Sequence, residues 1–386
     1  MKFNVAIVGG GVAGASLARA LSLQSDLNVA LVEPRPPKPL PESGFDARVY
    51  ALNARSRRLL EEIGVWQQMA PARMAPIFRM QVFGDDASAI DFDAYQSHVK
   101  DLATIVEEAS LLQGLHAAMR GQDNLAVIAS GCTGATWSDA GSTLALADGS
   151  HVEADLVVAA DGADSALRNW AGIDTDVRDY GQSGVVANFR VAKPHLGTAY
   201  QWFSEDGVLA LLPLPGDNVS MVWSAPDALA DALMAEDAAG LSNRVELASH
   251  SRLGALEQIG TTARFPLRRM RAARLIGRRL ALVGDTAHNV HPLAGQGLNL
   301  GLADVGALAA VLSSRGMESD CGAHSLLRQY ERRRREEVLA MEAVTHGLHG
   351  LFGTTAPGAK RLRNTGLNLV NRMSLVKRLL VKHAMG

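Results

Sequence analysis

The chain opens with a mostly apolar run, residues 3–8, that ends in a cluster of glycines, Gly9, Gly11 and Gly14. This pattern is typical of a buried parallel strand that turns directly into a helix. In such a turn the first glycine permits the bend, the second lets the backbone approach a pyrophosphate, and the third lets the helix pack on the strand. We therefore predict a Rossmann-type dinucleotide site here, with the N–H groups around Val12 and Ala13 facing phosphate.

An acidic residue follows at the spacing that this site requires. Glu33 lies at the end of the next predicted strand, residues 28–32. A carboxylate there accepts the ribose hydroxyls and disfavours a 2′-phosphate, so NADPH is the poorer candidate for this pocket. Glycine spacing alone is a weak signal, but strand, helix and acid in register favour a nucleotide site over a chance glycine-rich loop. Arg35 is a further candidate cofactor-binding residue.

A second glycine-rich segment lies near the other end of the chain, where an apolar strand, residues 280–283, delivers Asp285. Asp285 is placed to accept hydrogen bonds from the ribityl chain of a flavin, and a helix beginning near Leu298 would direct its N–H groups at the ring edge that becomes anionic on reduction. We therefore predict that FAD lies between the two ends of the chain. The candidate cofactor-binding residues here are Gly284, Asp285, Pro292, Gly295, Gln296, Gly297, Leu298 and Asn299.

Some of these residues have simpler interpretations. Asp285 alone could be a helix cap, and for His288 or His291 alone an ordinary loop histidine with a partner is favoured. A third motif, Asp161-Gly162, follows another apolar run, residues 156–160. Either Asp161 or Ser165 caps the next helix, or the loop lies near the cofactor pyrophosphate.

Composition excludes several classes of protein. The chain has 386 residues, enough for about two domains, and a formal charge of −2, so no nucleic-acid partner is indicated. Its two cysteines, Cys132 and Cys321, form neither a disulfide framework nor a zinc pattern, and the histidines have no partners at ligand spacing, so no metal is predicted. No apolar stretch of roughly 18 residues is present. A cytoplasmic location is the simplest interpretation.

We predict an α/β fold: a discontinuous Rossmann-like FAD-binding domain with an inserted, mostly antiparallel β-sheet substrate domain and C-terminal helices. Alternating patterns predict antiparallel strands over residues 185–223, whereas residues 102–119 are predicted to be helical. The predicted boundaries are residues 1–75, 101–178 and 273–325 for the FAD-binding domain, 76–100 and 179–272 for the substrate domain, and 326–386 for the C-terminal helical region.

These motifs resemble the single-component FAD aromatic hydroxylases, the class that includes p-hydroxybenzoate hydroxylase. Within that class the match is close to the flavin hydroxylases of ubiquinone biosynthesis. It covers essentially the whole chain, and residues 291–301 are its most discriminating stretch. The residues on which the resemblance rests are 9–14, Glu33, 46–53, 64–66, 105–107, Asp161-Gly162, 281–285, 291–302 and 330–332.

The resemblance implies roles for individual residues. Glu33 would bind the FAD ribose, Arg48 and Glu107 would lie along the FAD, and Asp285 would contact the ribityl chain. Leu298 and Asn299 would present their backbone to the flavin ring. The chain departs from the family pattern at Thr286, where alanine is usual, and at Glu108, where asparagine is frequent, so no role is assigned to Glu108.

The resemblance also implies a monooxygenase. In this chemistry reduced flavin and O2 give a flavin C4a-hydroperoxide, an electron-rich phenol attacks it, and a hydroxyl group is inserted. The protein must hold the ring and exclude water. No triad or paired-carboxylate signature is present, so we name no catalytic residue. No second nucleotide motif is visible, so the reductant is either NAD(P)H or an electron-transfer protein.

The favoured substrate is a polyprenyl phenol of ubiquinone biosynthesis. Residues 206–223 contain five Val and Leu residues between positions 208 and 214, and they contain no Lys or Arg that would pair with the carboxylate of a benzoate. Each of these five apolar residues could equally belong to the core of the sheet. The alternatives are a soluble phenol of aromatic degradation or secondary metabolism, a reductase that uses the same cofactor only to reduce double bonds, or a non-catalytic flavin-bound scaffold of a biosynthetic complex. A halogenase is disfavoured because the Trp-x-Trp-x-x-Pro pattern is absent.

The C-terminal segment is basic and amphipathic. Residues 360–386 contain seven Lys and Arg and no acid, with apolar residues at helical spacing. Such a helix suits either an anionic membrane surface, giving a peripheral contact on the inner face of the membrane, or packing on the domain. A complex with other proteins of ubiquinone biosynthesis is compatible with either. The run Arg332–Arg335, followed by two glutamates, is predicted to be a solvated helix face.

Overall fold

The computed structural model describes residues 1–84, 88–289, 296–316 and 320–353, without the side chains of residues 296 and 340–353. The strands are β1 (Lys2–Val8), β2 (Val29–Val32), β3 (Val49–Leu52), β4 (Ala75–Ile77), β5 (Arg79–Phe83), β6 (Ala89–Asp93), β7 (Ala103–Glu107), β8 (Leu125–Ile128), β9 (Cys132–Trp137), β10 (Ser142–Leu146), β11 (His151–Ala159), β12 (Thr175–Val191), β13 (Thr198–Ser204), β14 (Gly207–Leu214), β15 (Asn218–Pro226), β16 (Leu256–Ala272), β17 (Ile276–Gly277), β18 (Leu280–Leu282) and β19 (His288–Asn289). The helices are α1 (Val12–Ser22), α2 (Ala54–Glu62), α3 (Glu108–Met119), α4 (Ala166–Trp170), α5 (Asp227–Ala235), α6 (Ala238–Ala248), α7 (Gln296–Ser313) and α8 (His324–Gly353).

The first sheet has the strand order β17-β18-β11-β1-β2-β8, and the strands from β18 to β8 are parallel. A hairpin of β9 and β10 adds to β11 in the antiparallel sense. Residues 5–8 of β1 and all of β2 are buried, as their continuous apolar runs predict for a parallel sheet. α1 packs beside α3 and α7, so segments that are far apart in sequence share this core.

The second sheet has the order β19-β16-β12-β15-β14-β13-β5-β6, and only the pairing of β13 with β5 is parallel among the described strands. The antiparallel strands predicted over residues 185–223 are confirmed. One face is apolar because alternate residues such as Phe189 and Met221 point to it, and it packs against Leu233 of α5 and Val245 of α6.

The third sheet corrects the prediction of a helix over residues 102–119. Ala103–Glu107 is the strand β7, which pairs with β3 and β4, and α3 begins only at Glu108. Thr104, Ile105 and Val106 are β-branched and suit a strand between two neighbours. Periodicity alone does not separate a short buried strand from the first turns of a helix, and tertiary pairing decides the outcome.

The predicted fold class is confirmed: a parallel sheet built from distant parts of the chain, a second and mostly antiparallel sheet, and a long helix, α8, after them. The domain limits stay a prediction. β12 begins before the predicted limit at residue 178 and runs through it. Within the described ranges, no helix combines the length and the apolar character needed to cross a membrane.

Candidate functional site

The N-terminal glycine turn joins β1 to α1, and close packing requires two of its glycines. Gly9 has a φ of +106°, and a Cβ on it would lie 2.2 Å from the carbonyl oxygen of Ala160. A Cβ on Gly14 would lie 1.9 Å from the carbonyl oxygen of Gly9. Gly11 differs, since apart from its own local backbone no atom of the described residues lies within 4 Å of the position a Cβ would take. The turn is therefore open at Gly11, where the predicted pyrophosphate needs room.

The start of α1 is arranged to bind an anion. Gly11 is the N-cap and provides no side chain, and the first helical turn, which includes Val12 and Ala13, contains no acidic residue. The first backbone hydrogen bond of the helix runs from the Ala15 N–H to the Gly11 carbonyl oxygen. The N–H groups of the first turn therefore have no partner within the helix and are available to phosphate oxygens.

Glu33 follows β2 and is tied to the glycine turn. Its Oε2 accepts the Gly10 N–H at 2.7 Å, and its Oε1 accepts the Arg35 N–H at 3.1 Å. The Glu33 side chain is 15% exposed, so its carboxylate is oriented and still has lone pairs for further donors. The Arg35 side chain is 87% exposed. Glu33 thus lies beside the phosphate-binding turn, while contact of either residue with FAD stays a prediction.

The second predicted motif forms a tight turn after β18. Gly284 has a φ of +62°, and its N–H donates to Asp304 Oδ2 at 2.9 Å. The side chain of Asp285 is exposed between two buried residues. Burial by the surrounding protein nevertheless raises the pKa of Asp285, and His288 and Arg48 act against this. The exposed carboxylate of Asp285 can therefore accept hydrogen bonds from ligand hydroxyls.

Arg48 lies between this turn and the second sheet. Its Nη1 donates to Glu108 Oε1 at 3.2 Å, and its guanidinium lies 6.0 Å from the ring centroid of Phe265. The Tyr50 hydroxyl donates to the same Glu108 oxygen at 2.7 Å, and burial raises the pKa of Tyr50 well above its ordinary value. Glu108 therefore orients Arg48. The sequence signal for this role was the glutamate at position 108, where the family often has asparagine.

Glu107 is completely buried at the end of β7, and its carboxylate is bound by Arg73. Arg73 Nε donates to Oε2 at 2.6 Å and Nη2 donates to Oε1 at 2.7 Å. The Asp46 N–H donates to Oε1 at 2.6 Å. Glu107 thus positions the segment that leads to Arg48, and its own contact with FAD stays a prediction.

Thr286 links the turn after β11 to the turn after β18. Its Oγ1 accepts the Gly162 N–H at 3.0 Å and donates to Asp161 Oδ1 at 3.4 Å. Asp161 Oδ2 also accepts the Leu167 N–H at 3.3 Å, and Ser165 caps α4. The capping interpretation of the third motif therefore has direct support, whereas contact of Asp161 with a pyrophosphate stays a prediction.

The start of α7 is joined to the N-terminal half of the chain. Asn299 is buried, its Oδ1 accepts the Asn53 N–H at 3.0 Å, and its Nδ2 donates to the Ala51 carbonyl oxygen at 2.8 Å. Leu298 is half-buried against the main core. Apart from its own local backbone, no atom of the described residues lies within 4 Å of a Cβ built on Gly297.

Part of the second motif lies outside the described residues, namely Pro292 and Gly295, together with His291. For Gln296 only the backbone is described, as the first residue of α7. Any contact of these residues with FAD stays a prediction, as do those of Leu298 and Asn299.

Sequence reasoning missed a buried ionic cluster next to the Gly284 turn. Asp304 on α7 accepts from Arg334 Nε at 2.6 Å, and His288 Nε2 lies 2.7 Å from Asp304 Oδ2 in ion-pair contact. The prediction of a solvated face is therefore wrong for Arg334, although Arg332, Arg333 and Arg335 are exposed. The polar Asp304 within the apolar run of α7 was the one available signal.

The described residues fit FAD. The glycine turn follows β1, Glu33 follows β2 and Asp285 follows β18, and these parallel strands end at the same edge of one sheet, where such sheets bind ligands. The open position at Gly11, the uncapped start of α1 and the exposed carboxylate of Asp285 are the features that a pyrophosphate and a polyol chain require. The turns after β1 and β18, which are far apart in sequence, therefore lie at one sheet edge as predicted.

Comparisons with known proteins give the same picture over the whole chain. The sequence profile of a family described as "FAD binding domain" matches residues 2–345. The chain is 34% identical to a ubiquinone hydroxylase, UbiL, of Rhodospirillum rubrum, with 99% of this chain and 89% of that protein covered. It is also 34% identical to the 3-demethoxyubiquinol 3-hydroxylase of Escherichia coli, with 99% and 98% covered.

The fold is also found among solved structures. The p-nitrophenol 4-monooxygenase PnpA of Pseudomonas putida DLL-E4 superimposes with a TM-score of 0.79 at 16% identity, and the match covers 100% of this chain and 99% of that one. At this identity the likeness concerns the arrangement of the sheets and helices.

Proposed function

Because this chain belongs to the FAD-binding family that includes hydroxylases of ubiquinone biosynthesis, we propose that it hydroxylates the aromatic ring of a polyprenyl phenol, using bound FAD and O2. The observation that carries the proposal is the convergence of the Gly11 turn, Glu33 and Asp285 at one sheet edge in a chain that matches such hydroxylases over 99% of its length.

The residues of this chain hold and orient the reactants. FAD, when bound, supplies the electrons and the O2 chemistry. The N–H groups at the start of α1 bind the pyrophosphate, Glu33 accepts from the ribose and Asp285 accepts from the ribityl chain. Glu108 fixes the guanidinium of Arg48 beside this turn. No described side chain has to act as a nucleophile, since the protein's task is to align the ring and exclude water.

Half-buried apolar residues adjoin Arg48 in the sequence, which supports an apolar substrate. A cluster between the second and third sheets includes Val49 and Ala51, the near neighbours of Arg48 in the sequence. Its other members are Phe45, Ala75, Ile77, Met80, Leu102, Ala103, Ile105, Ala199, Leu212 and Leu214. Leu209 and Leu211 instead pack under α5 and α6, and Leu214 is 1% exposed, so for these three the sheet-core interpretation holds.

Quinone profiling of a deletion strain tests the proposal. We expect loss of the normal quinone and accumulation of a prenylated phenol that lacks one hydroxyl group, detected by mass spectrometry. Complementation with the wild type should restore the quinone, whereas Gly11→Asp, which places a carboxylate where phosphate would lie, should not. A normal quinone pool in a strain without a redundant hydroxylase would exclude the proposal and favour a soluble phenol. Restoration by the FAD-free Gly11→Asp protein would favour a scaffold.

The reductant is tested on purified protein. NADH, NADPH and a reduced ferredoxin-type protein are each mixed anaerobically with the FAD-bound enzyme, with and without a short-chain prenyl phenol. Bleaching of the flavin absorbance at a rate that matches turnover identifies the donor. Bleaching by NAD(P)H without a partner protein would support transient nucleotide binding, and its absence would support an electron-transfer protein.

The proposed location is cytoplasmic, with a peripheral contact on the inner face of the membrane through residues 360–386, which lie outside the described residues. The support is their charge, seven Lys and Arg without an acid. Cosedimentation with vesicles of phosphatidylglycerol should exceed that with phosphatidylcholine and should fall when Lys377 and Arg378 are both changed to Glu. Equal binding of this variant would indicate that the segment packs on the protein or contacts a partner of the pathway.

A further inference from the structure

A buried ionic cluster lies directly behind the turn that carries Asp285. It consists of His288 on β19, Asp304 on α7 and Arg334 on α8, and their side chains are 2%, 0% and 1% exposed. Arg334 Nη2 also donates to the Leu300 carbonyl oxygen at 3.2 Å. The cluster therefore joins three elements that are distant in sequence, and none of its charges is solvated.

Asp304 is the centre of the cluster. Its Oδ1 accepts from Arg334, and its Oδ2 accepts the Gly284 N–H and lies 2.7 Å from His288 Nε2. Burial acts to raise the pKa of Asp304, but His288 and Arg334 outweigh burial and hold it below its ordinary value. Asp304 is thus an anion that binds two cationic side chains and the backbone of the turn at once.

The pKa of His288 is raised although its side chain is buried, which favours the protonated imidazole. Burial acts to lower the pKa of His288, but the adjacent Asp304 outweighs burial and raises it. The other charged groups that face it are Arg334, which opposes protonation, and Asp285, which favours it. With His288 protonated, the three fully buried residues have a net charge of +1. Glu337, which contacts Arg334 and Arg55, is half exposed and lies outside this buried set.

We propose that His288 is a positioning residue that places a fixed positive charge behind the Gly284–Asp285 turn and thereby favours the reduced, anionic state of the bound flavin. Asp304 holds this cation and, through the Gly284 N–H, the turn itself. The same charge acts to lower the pKa of the Asp285 carboxyl group, against the burial that raises it. The role needs bound FAD but no particular phenol, so a wrong substrate assignment would leave it intact.

The test compares His288→Gln with a matched control, His151→Gln, because His151 is exposed on β11. The midpoint potential of the bound FAD is measured by anaerobic dye-coupled reduction at pH 6.5, and the dissociation constant of oxidised FAD by titration. We expect His288→Gln to reduce the preference for reduced over oxidised flavin about tenfold, which for a two-electron couple is a fall of about 30 mV. The control should keep the wild-type potential.

Measuring both the potential and the FAD dissociation constant distinguishes an electrostatic role of His288 from a purely structural one. Weaker FAD binding with an unchanged potential would overturn the proposal, because a loosened turn alone changes affinity for both redox states. If His288→Gln does not fold, ¹⁵N-histidine spectra of the wild-type holoenzyme decide. A buried imidazole with both nitrogens protonated at pH 7 supports the proposal, and only neutral buried imidazoles would overturn it. If the deletion strain keeps a normal quinone pool, the substrate assignment is refuted. The flavin potential and the histidine spectra would still test the role of His288.

Discussion

The buried side chain of Asn299 joins two segments that are 246 residues apart, because its Oδ1 accepts the backbone N–H of Asn53 at 3.0 Å. Its Nδ2 closes the link by donating to the carbonyl oxygen of Ala51. Asn53 in turn caps α2 by accepting the Ser56 N–H. One amide therefore fixes the start of α7 against β3 and α2, and the two halves of the predicted cofactor site meet through it.

Replacing Asn299 by Ala should destabilise the protein and weaken FAD binding together. The change removes hydrogen bonds to two backbone groups in a buried region, and losses of this kind cost about 1–3 kcal/mol. Urea unfolding measures the free energy, and fluorescence titration measures the FAD dissociation constant. Asn243→Ala is the control, since Asn243 is exposed on α6. Equal stability of Asn299→Ala and the wild type would show that the link does not hold the halves together.

Two glycines of the turn between β1 and α1 should respond differently to replacement by alanine. Gly14→Ala places a Cβ 1.9 Å from the Gly9 carbonyl oxygen, so the backbone has to move and folding should be impaired. Gly11→Ala adds a Cβ where, apart from its own local backbone, nothing of the described protein lies within 4 Å, so the FAD-free protein should keep its melting temperature. FAD should nevertheless bind at least tenfold more weakly, about 1.4 kcal/mol. Normal FAD affinity in Gly11→Ala would mean that no phosphate approaches this position.

Glu33→Gln should weaken FAD binding without unfolding the protein. The amide is of similar size, but it presents one acceptor oxygen where the carboxylate presents two, and hydrogen bonds to a charged acceptor are the stronger kind. We expect about a tenfold rise in the FAD dissociation constant. Glu153→Gln, at an exposed position of β11, is the control. An unchanged dissociation constant would exclude Glu33 as a ribose ligand.

The sequence predicts the parts of this fold whose signal is local. The glycine turn, Glu33 and the strand before Asp285 are each defined by a few adjacent residues, and all three end at the same sheet edge. Residues 103–107 were wrongly predicted as helix because their strand character depends on pairing with β3 and β4, which local periodicity does not report. The buried state of Arg334 depends on Asp304, a partner 30 residues away.

The same limit applies to Glu107 and Glu108, which are adjacent in sequence but bind different arginines. Glu107 is the last residue of β7 and faces Arg73 in the interior, whereas Glu108 begins α3 and faces Arg48. The family resemblance assigns a role at position 107 and none at position 108. The chain changes from strand to helix between these two residues, and this change shows that the Glu107 carboxylate is enclosed by protein whereas the Glu108 carboxylate lies beside the Asp285 turn.

Breaking the Glu107–Arg73 pair should be costly. Arg73→Met leaves a fully buried carboxylate without its cation, and removing one partner of a buried pair costs about 3–5 kcal/mol. The double variant Arg73→Met with Glu107→Gln should recover part of this loss. The control is Arg190→Met, whose exposed pair with Glu257 is worth at most about 1 kcal/mol. Equal losses in the two arginine variants would contradict an enclosed Glu107 carboxylate.

The His288–Asp304 pair predicts how stability depends on pH. The pKa of His288 is raised in the folded state, so its contribution is fully present below the unfolded value of about 6.5 and is lost as pH rises through the higher native value. The pKa of Asp304 is lowered, so its contribution is present above about 3.9 and is lost as pH falls through the native value. The pair should therefore stabilise the protein most at weakly acidic pH.

Urea unfolding of the FAD-free protein between pH 6 and 8 checks this dependence, with His288→Gln compared with the wild type. Cys321, whose pKa burial raises to about 11, disfavours its thiolate in the folded state and also reduces stability at alkaline pH. The difference between the two proteins is therefore the relevant quantity, because Cys321 is common to both. We expect this difference to shrink as pH rises. A difference that is constant from pH 6 to 8 would mean that His288 does not change its protonation on unfolding.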